Sequence, residues 1–520
     1  MSLILLPILL SFLFAVVNFV FARFKLDFRF LWLIEMLGAV LIWVSSVAVL
    51  AVLPAEFQFY QWLHLDADSL VPGLLLDQIS WPFTIGLASF LLLVEITFPI
   101  RGTHLDPLAK AGDFALAAAG LIAVQFGNLI ALILSWAAID LIEYLLVAHY
   151  FTDVPSRTPL IRGVSFRIAG ILALFLCIII GIEPASPPGF ITGTQAVVVL
   201  LLLAAGLRLG VIPMNITTIQ EYLAPSGLGA AIKIIPAAAS LILLARMVDV
   251  DLAAGVFVVL LGLALFAGIY SSFAWLISDE VNNARPYWIV GMSSLSFGAA
   301  LLNVPAAASA WALALIFGGG VIFLSSLRNR WFKVVLACGA ILLAGIPFSP
   351  TWPGTLLFDP RNSWLGLIFI FPLFILLAGY LRFAFQEQQT YKISDRWRMA
   401  VYYFGFAIIL LTYIVLGVWS ARTLKTSGLG WSVILLVVML LAWMYIGRRF
   451  GFRRPSLGIG GRFIQQIFSL GWMYQILGFV YRQASRLINL SSGLIEGEGG
   501  TLWSILLLVV LLSLLGSVLR

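Results

Sequence analysis

Apolar segments of about 20 residues recur along the whole chain and are separated by short polar loops. This length is what an α-helix needs to cross a hydrocarbon layer roughly 30 Å thick. The pattern predicts an all-α, polytopic membrane protein with about 16 transmembrane helices. The first segment has no basic start and no small-residue cleavage site before Arg23, so we expect a retained helix rather than a signal peptide.

The pattern changes between residues 451 and 500. Apolar residues there recur at spacings of three and four, and arginine and glutamine fill positions between them. This spacing predicts an amphipathic lateral helix that lies along the membrane or along neighbouring helices. Its apolar positions include Phe463, Ile467, Leu470, Met473, Leu477 and Val480.

No stretch resembles a linker between soluble domains, so we treat the chain as one membrane domain with five regions. Residues 1–112 are predicted to form the N-terminal transmembrane helices. Residues 113–250 form a first, ion-channel-like helix bundle and residues 251–450 a second bundle. The lateral helix over 451–500 and a C-terminal transmembrane anchor over 501–520 complete the chain.

The composition agrees with a membrane protein. Hydrophobic residues make up 62% of the 520 residues and charged residues only 10%, too few to cover a soluble surface. The net charge of +7 comes largely from short loops, where basic residues set topology rather than bind nucleic acid. Most of these loops fall on one side when helices alternate, so the positive-inside rule predicts both termini outside. The basic loop 420–428 is an exception.

The cysteines and histidines give no indication of a metal or cofactor site. Cys177 and Cys338 lie in separate apolar segments, and the three histidines have no metal-ligand spacing. We therefore expect no cofactor and no catalytic centre in this chain.

Four ionisable residues inside apolar segments are the candidates for ion translocation. Each costs roughly 2.5 to 3.5 kcal/mol to insert at mid-membrane, so each needs a partner or a watery cavity. Asp140 and Glu143 are three residues apart, so they share a helix face and can hold one proton between them. Arg208 and Lys233 lie in later segments. Acids and bases on successive helices are what a lateral proton path requires.

A structural interpretation of the same residues is equally available. In it, the carboxylates neutralise Arg167 or Arg208 within a packed bundle, as ion pairs inside membranes also do. Glu35 lies early in its apolar segment and Glu95 late, so these two carboxylates are further candidates.

Prolines interrupt the helical pattern next to two of the candidates. Pro213 breaks the segment that contains Arg208, and Pro236 follows Lys233 by three positions. Irregular backbone at membrane depth is tolerated where it is buried in protein or lines a cavity, as at ion sites of transporters. We expect both prolines to support such a site.

The run 127–153, GNLIALILSWAAIDLIEYLLVAHYFTD, resembles the fifth transmembrane helix of the large antiporter-like subunit of respiratory complex I. Mrp-type cation/proton antiporters and membrane-bound hydrogenases share that helix. It typically carries Asn-Leu, then Trp-Glu, then Tyr-Leu-Leu and an aromatic residue. The matching positions, reached without a gap, are Asn128, Leu129, Trp136, Tyr144, Leu145, Leu146 and Tyr150.

Other segments are similar to the same family. The segment 74–81, LLLDQISW, resembles its Asp-Gly-Leu-Ser segment and identifies Asp77 as a supporting residue. Arg167 is a second supporting residue, as the partner of the carboxylates described above. The stretch 207–233 is similar to its lysine, proline and histidine block, and 291–298 to its Thr-Met-Ser motif. The resemblance also implies a lateral helix and two broken helices.

This sequence departs from the family pattern at three ionisable positions, and these departures determine which residues we expect to handle protons. The family's mid-membrane glutamate falls on Ala137, its lysine on Arg208 and its histidine on Lys233. Arginine does not release its proton in proteins, whereas lysine can. Asp140 follows Ala137 by three residues, on roughly the same helix face and about 4.5 Å further along the axis. We expect Asp140, helped by Glu143, to replace the missing glutamate as partner of Arg208.

Three functions remain open. The first is a proton-translocating subunit of a complex-I-like or hydrogenase-like redox complex. The resemblance implies a bacterial or archaeal cytoplasmic membrane, with other membrane and redox subunits as partners and any NADH:quinone oxidoreductase activity belonging to the complex. The second is a non-conducting scaffold, because the family's last lysine falls near Leu356. The third is an inorganic-carbon transport subunit. A proton is the expected ion, since lysine carries a proton and does not bind sodium.

Overall fold

The computed structural model describes most of the first 450 residues. The described ranges are 2–25, 31–58, 71–101, 106–150, 154–181, 183–184, 189–215, 226–325, 330–361, 363–386, 396–423 and 430–450. Three pairs of helical residues are also described, at 478–479, 482–483 and 485–486. The chain forms two compact units, Met1–Phe452 and Arg453–Arg520. The predicted anchor and most of the predicted lateral helix lie outside the described residues.

Fifteen α-helices follow one another in the described part of the first unit. They are α1 Ser2–Phe24, α2 Leu31–Ala48, α3 Ser80–Arg101, α4 Pro107–Val124, α5 Leu129–Tyr150, α6 Val154–Ile180, α7 Gln195–Leu209, α8 Ser226–Arg246, α9 Ala254–Ile277, α10 Val281–Leu301, α11 Pro305–Leu324, α12 Arg330–Leu343, α13 Ile370–Phe385, α14 Arg396–Thr423 and α15 Trp431–Phe450. Eleven of the described segments are long and apolar enough to cross a membrane, and three shorter apolar helices accompany them. The all-α polytopic fold predicted from the sequence is confirmed.

Strands are confined to two short hairpins in the described residues. Strand β1, Ala55–Gln58, pairs antiparallel with β2, Gly73–Leu76. Strand β3, Glu183–Pro184, pairs antiparallel with β4, Ile191–Thr192. Both hairpins lie in loops that precede a helix, α3 in the first case and α7 in the second.

Helices α3, α8 and α11 are among the most deeply buried of the bundle, and most of α10 is buried as well. In each of α3, α8 and α11, 94% of the apolar span is buried within the chain, against 28% for the span in α6. All of these helices are apolar around their circumference, so burial depends on how closely neighbours approach rather than on amphipathicity. In α11, a Cβ atom on Gly318 would lie 2.8 Å from Trp288, so only glycine allows this approach.

Two broken helices are present, one of them at the predicted Pro213, whereas Pro236 lies within the continuous helix α8. Helix α7 ends at Leu209 because Gly210 adopts a left-handed conformation with φ of 69°, and an irregular turn that contains Pro213 follows. Helix α12 ends at Leu343, and Gly345 has φ of 84°. Two 3-10 helices, Pro353–Phe358 and Trp364–Phe369, then connect α12 to α13.

Candidate functional site

Asp140 and Arg208 form a buried, two-pronged ion pair between α5 and α7. Arg208 Nη1 lies 2.6 Å from Asp140 Oδ2, and Arg208 Nη2 lies 2.9 Å from Oδ1. The Arg208 side chain is 1% exposed. Parallel hydrogen bonds of this kind fix both position and orientation of the two groups. The contact expected between Asp140 and Arg208 is therefore present in the structure.

Glu143 has an arginine of its own. Arg167 of α6 donates from Nη2 to Glu143 Oε1 at 2.7 Å and makes a second hydrogen bond from Nη1 to Oε2. The same Nη1 lies 3.6 Å from Asp140 Oδ1, so Arg167 bridges the two carboxylates. We call Asp140, Glu143, Arg167 and Arg208 the ion-pair cluster. Its two negative and two positive charges sum to zero.

Helices α5 and α8 hold the Arg208 guanidinium from two further sides. It stacks on Trp136, with 4.4 Å between Cζ and the ring centroid, and Trp136 in turn donates to Ala239 O at 2.9 Å. Arg208 Nε donates to Ser240 Oγ at 3.3 Å, and Ser240 donates to Pro236 O at 2.9 Å. The proline expected to support the site thus contributes a backbone acceptor.

The close packing of α6 on α7 brings the two arginines together. A Cβ atom on Gly170 would lie 2.9 Å from Ala204 O and 2.9 Å from Arg208 Cγ. Glycine is therefore the residue that allows this approach. Because Gly210 ends α7 two residues after Arg208, the guanidinium also lies at the negative end of the helix dipole.

A cavity of about 80 Å³ adjoins the ion-pair cluster and extends to α8 and α10. Its charged lining residues are Glu143, Arg167, Arg208 and Lys233. Pro236 and Ser240 also line it, as do Asn215 from the irregular turn and Pro286 from α10. The helix break and the prolines thus border a polar cavity that contacts both an acid and a lysine.

Asp77 and Arg246 form a separate pair. Arg246 Nη1 lies 3.1 Å from Asp77 Oδ2 and also donates to Gly189 O, so the end of α8 is attached to two loops. Asp77 accepts from the backbone N–H groups of Ile79 and Ser80 at the start of α3. None of these groups lines the cavity. Asp77 therefore stabilises the connection between α8 and the start of α3.

The structure corrects one geometric expectation. Ala137 is exposed on the surface of α5, whereas Asp140 is buried, so Ala137 lies at the outer edge of the face that carries Asp140. Three residues of an α-helix turn through about 300°, which leaves an offset of about 60°. This offset is enough to turn Ala137 outward while Asp140 contacts Arg208.

A second buried charged group was largely missed. Lys110 is absent from the candidates predicted above, yet it lies inside α4, where Nζ contacts Glu95 Oε2 at 2.9 Å. The available signal was Asp106-Pro107: an aspartate that caps a helix followed by a proline at its first position. Asp106 indeed accepts from Leu108 N at 3.0 Å. Among the described residues, no group of three or more histidine, cysteine, aspartate or glutamate side chains is arranged to hold a metal ion.

No protein-family model matches the sequence, and no curated protein matches it. Solved structures, in contrast, are similar to this protein in fold. A chain of the Mrp complex from Dietzia sp. DQ12-45-1b is 14% identical with a TM-score of 0.68; the alignment covers 99% of this chain and 63% of that chain. A chain of the membrane-bound sulfane sulfur reductase, an archaeal respiratory membrane complex, is 14% identical with a TM-score of 0.67 over 98% of this chain and 99% of that one.

A chain of respiratory complex I from Thermus thermophilus is 15% identical with a TM-score of 0.59, over 85% of this chain and 99% of that one. Similarity at such identities concerns the fold. The protein therefore shares its fold with these chains of membrane complexes, as the sequence resemblance implied. This chain is similar to about two thirds of the Mrp chain's length.

Proposed function

We propose that this chain is a proton-translocating membrane subunit of a larger redox complex, and that the ion-pair cluster with Lys233 is its proton-handling site. The observation that carries the proposal is the cavity that borders Glu143 and Lys233 together with both arginines. A volume of about 80 Å³ has room for a few water molecules, and its polar lining supplies the hydrogen-bond partners they need.

The charges on the cavity define the role of each group. Arginines remain charged in proteins, so Arg167 and Arg208 act as fixed positive charges. Glu143 and Lys233 are the cavity-lining side chains that take up and release protons. Because the ion-pair cluster is neutral, a proton on Lys233 brings the five groups to +1. Proton transfer through cavity water then alters the field at Arg167, which contacts both carboxylates.

A non-conducting scaffold is the second candidate, and a specific observation favours it. Each carboxylate of the ion-pair cluster is already paired with an arginine, as in a structural ion pair. Within the described part of 251–450, no carboxylate is buried. In this interpretation the pairs join α5, α6 and α7, and no proton moves.

Proton uptake by vesicles that contain the intact complex distinguishes the two functions. The variant Asp140→Asn keeps the side-chain shape but removes the charge opposite Arg208. We expect coupled proton movement to fall at least tenfold, because the fixed charge of Arg208 is no longer balanced. Glu56→Gln, an exposed carboxylate on β1, is the matched control and should leave transport unchanged.

Co-purification of the other subunits must accompany each measurement. An Asp140→Asn complex that retains its subunits and moves protons at the wild-type rate would support the scaffold. If the tagged chain purifies alone and still transports ions, the proposed assembly is wrong. Loss of the partner subunits in the variant would instead assign Asp140 a role in assembly.

A further inference from the structure

Helices α2, α3 and α4 contain a second set of buried charges, none of which lines the cavity. Glu35, Glu95, Lys110 and Asp113 are each at most 3% exposed. Lys110 Nζ lies 2.9 Å from Glu95 Oε2 and 3.8 Å from Asp113 Oδ2. Glu35 lies one helical turn before Ala39, which packs against Leu92 and Ile96 on either side of Glu95 in the sequence, and it interacts electrostatically with the other three. We call these four residues the α2–α4 cluster.

The α2–α4 cluster differs from the ion-pair cluster in its charge balance. Three carboxylates face one lysine, so with every group ionised the sum is three negative charges and one positive charge, −2. The lysine is already engaged with Glu95 and Asp113. Glu35 makes no ion pair within 4.0 Å among the described residues. A negative charge in such surroundings is strongly disfavoured unless something neutralises it.

Buried acceptor atoms without a partner indicate that a hydrogen-bond donor is missing from the described cluster. Glu35 Oε1 and Glu95 Oε1 are buried and lack a hydrogen-bond partner within the described ranges. Asn18 Oδ1 on α1 is a third such atom. Asn18 follows Phe14 by one helical turn, and Phe14 packs against both Gly38 of α2 and Phe114 of α4. An ionised carboxylate only accepts hydrogen bonds, whereas a protonated one donates as well.

The neighbouring helices supply no neutralising cation to this position in the described structure. From α5, Tyr150 donates to Asp106, one turn before Lys110. From α14, Gly405 packs against Ile96. Arg398 lies over Trp397, whose ring packs on Trp32 of α2, but Arg398 itself is exposed rather than buried with the cluster. Helix α11 has no ionisable residue.

Helix α8 contributes no charge to the cluster either. It reaches α4 where Ile235 approaches Gly120, about two turns from Asp113. Its Lys233 lines the cavity at the ion-pair cluster instead. The described residues also offer no arrangement of carboxylates suited to a metal ion. A proton is therefore the cation that fits.

We propose that the α2–α4 cluster is a proton-binding site in which Glu35 carries an exchangeable proton. Glu35 takes a proton from water to form a carboxyl O–H, and the same bond breaks when the proton returns to water. The O–H adds one hydrogen-bond donor to a cluster whose carboxylates otherwise only accept, and the cluster charge changes from −2 to −1. This site does not depend on the proposed function, since it binds a proton whether or not the chain conducts.

Infrared spectroscopy of the intact complex in lipid tests the site directly. At neutral pH, a protonated carboxylic acid gives a C=O absorption that an ionised carboxylate lacks. We expect Glu35→Gln to remove one such carboxyl per chain, and Glu35→Asp to keep it at a shifted frequency. Glu56→Gln, the exposed control, should leave this absorption unchanged.

The outcomes separate a proton site from its alternatives. Retention of the full carboxyl absorption in Glu35→Gln would overturn the proposal. Loss of the absorption when sodium replaces choline in the buffer would show a metal-cation site, and would overturn it as well. If Glu35→Gln does not assemble, the Glu35→Asp spectrum decides: an unshifted absorption means that Glu35 does not carry the proton.

Discussion

Residues 113–250 and 251–450 are both built from long apolar helices, yet they differ in the charges they bury. In the described part of the first region, three carboxylates are buried, and those of Asp140 and Glu143 contact arginines at the edge of a cavity. In the described part of the second region the buried charges are Arg285 and Arg382, and no carboxylate accompanies them inside.

The two regions also differ in the side chains that line their interiors. The first has the cavity of about 80 Å³ with four charged lining residues. In the second, aromatic side chains pack around Trp275, whose ring centroid lies 5.4 Å from that of Trp288 and 4.6 Å from that of Phe383. A cavity of about 320 Å³ that the second region shares with the preceding regions has no charged lining residue. A small cavity of about 10 Å³ next to Tyr380 and Tyr413 has otherwise apolar walls. The comparison indicates that helices of one fold can enclose either paired charges beside a cavity or aromatic side chains.

The largest effect on stability is expected from Arg208→Met. It leaves Asp140 with Arg167 at 3.6 Å as its remaining arginine, and removing one partner of a buried pair costs about 3 kcal/mol. The matched change in the second region is Arg382→Met. Arg382 donates to Ser278 O and has no carboxylate within 4.0 Å among the described residues, so we expect a loss of at most about 1 kcal/mol.

Thermal unfolding of the purified complexes measures both changes. Equal losses for Arg208→Met and Arg382→Met would mean that the ion pairs do not distinguish the two regions. The double variant Asp140→Leu with Arg208→Met should recover much of the stability, because it removes both charges together.

A smaller loss of stability is expected from adding one methyl group to a helix. Gly170→Ala places a Cβ atom 2.9 Å from Arg208 Cγ and from a backbone oxygen, so α6 must move and the ion-pair cluster with it. We expect a loss of about 1 to 2 kcal/mol. Gly262→Ala in α9 meets nothing within 4 Å and should be neutral or stabilising. Similar unfolding temperatures for the two variants would contradict the tight packing of α6 on α7.

The smallest effect is expected from Tyr413→Phe. This change removes a hydroxyl group beside the 10 Å³ cavity of the second region, which is too small for a chain of water molecules. Proton uptake should stay within about twofold of the wild-type rate, since no charged path is interrupted. A loss as large as that in Asp140→Asn would show that the second region conducts too.

The length of the apolar segments and Pro213 were enough to predict the all-α fold and the break after α7. Both are local properties, and the bilayer leaves a helix few alternatives. Pro236 does not end α8. The contact between Asp140 and Arg208 was also predictable, because a buried arginine needs an acid and a resemblance placed the two helices side by side.

Side-chain direction was not predictable to the same degree. The outward turn of Ala137 depends on how α5 is rotated in the bundle, which neighbouring helices determine and the residue spacing alone does not. Lys110 was missed because a loop rich in charge obscured the helix start at Pro107. The partner of Glu143 could be Arg167 or another base until the packing of α6 on α5 was known.

Replacing Lys233 tests the central claim most directly, because arginine preserves its charge and histidine preserves its ability to exchange a proton. Proton uptake by vesicles containing the intact complex is the measurement. The account predicts that Lys233→Arg lowers uptake at least tenfold, since arginine holds its proton, while Lys233→His retains a substantial part of it. Wild-type uptake in Lys233→Arg would contradict the account, because a fixed charge would then suffice.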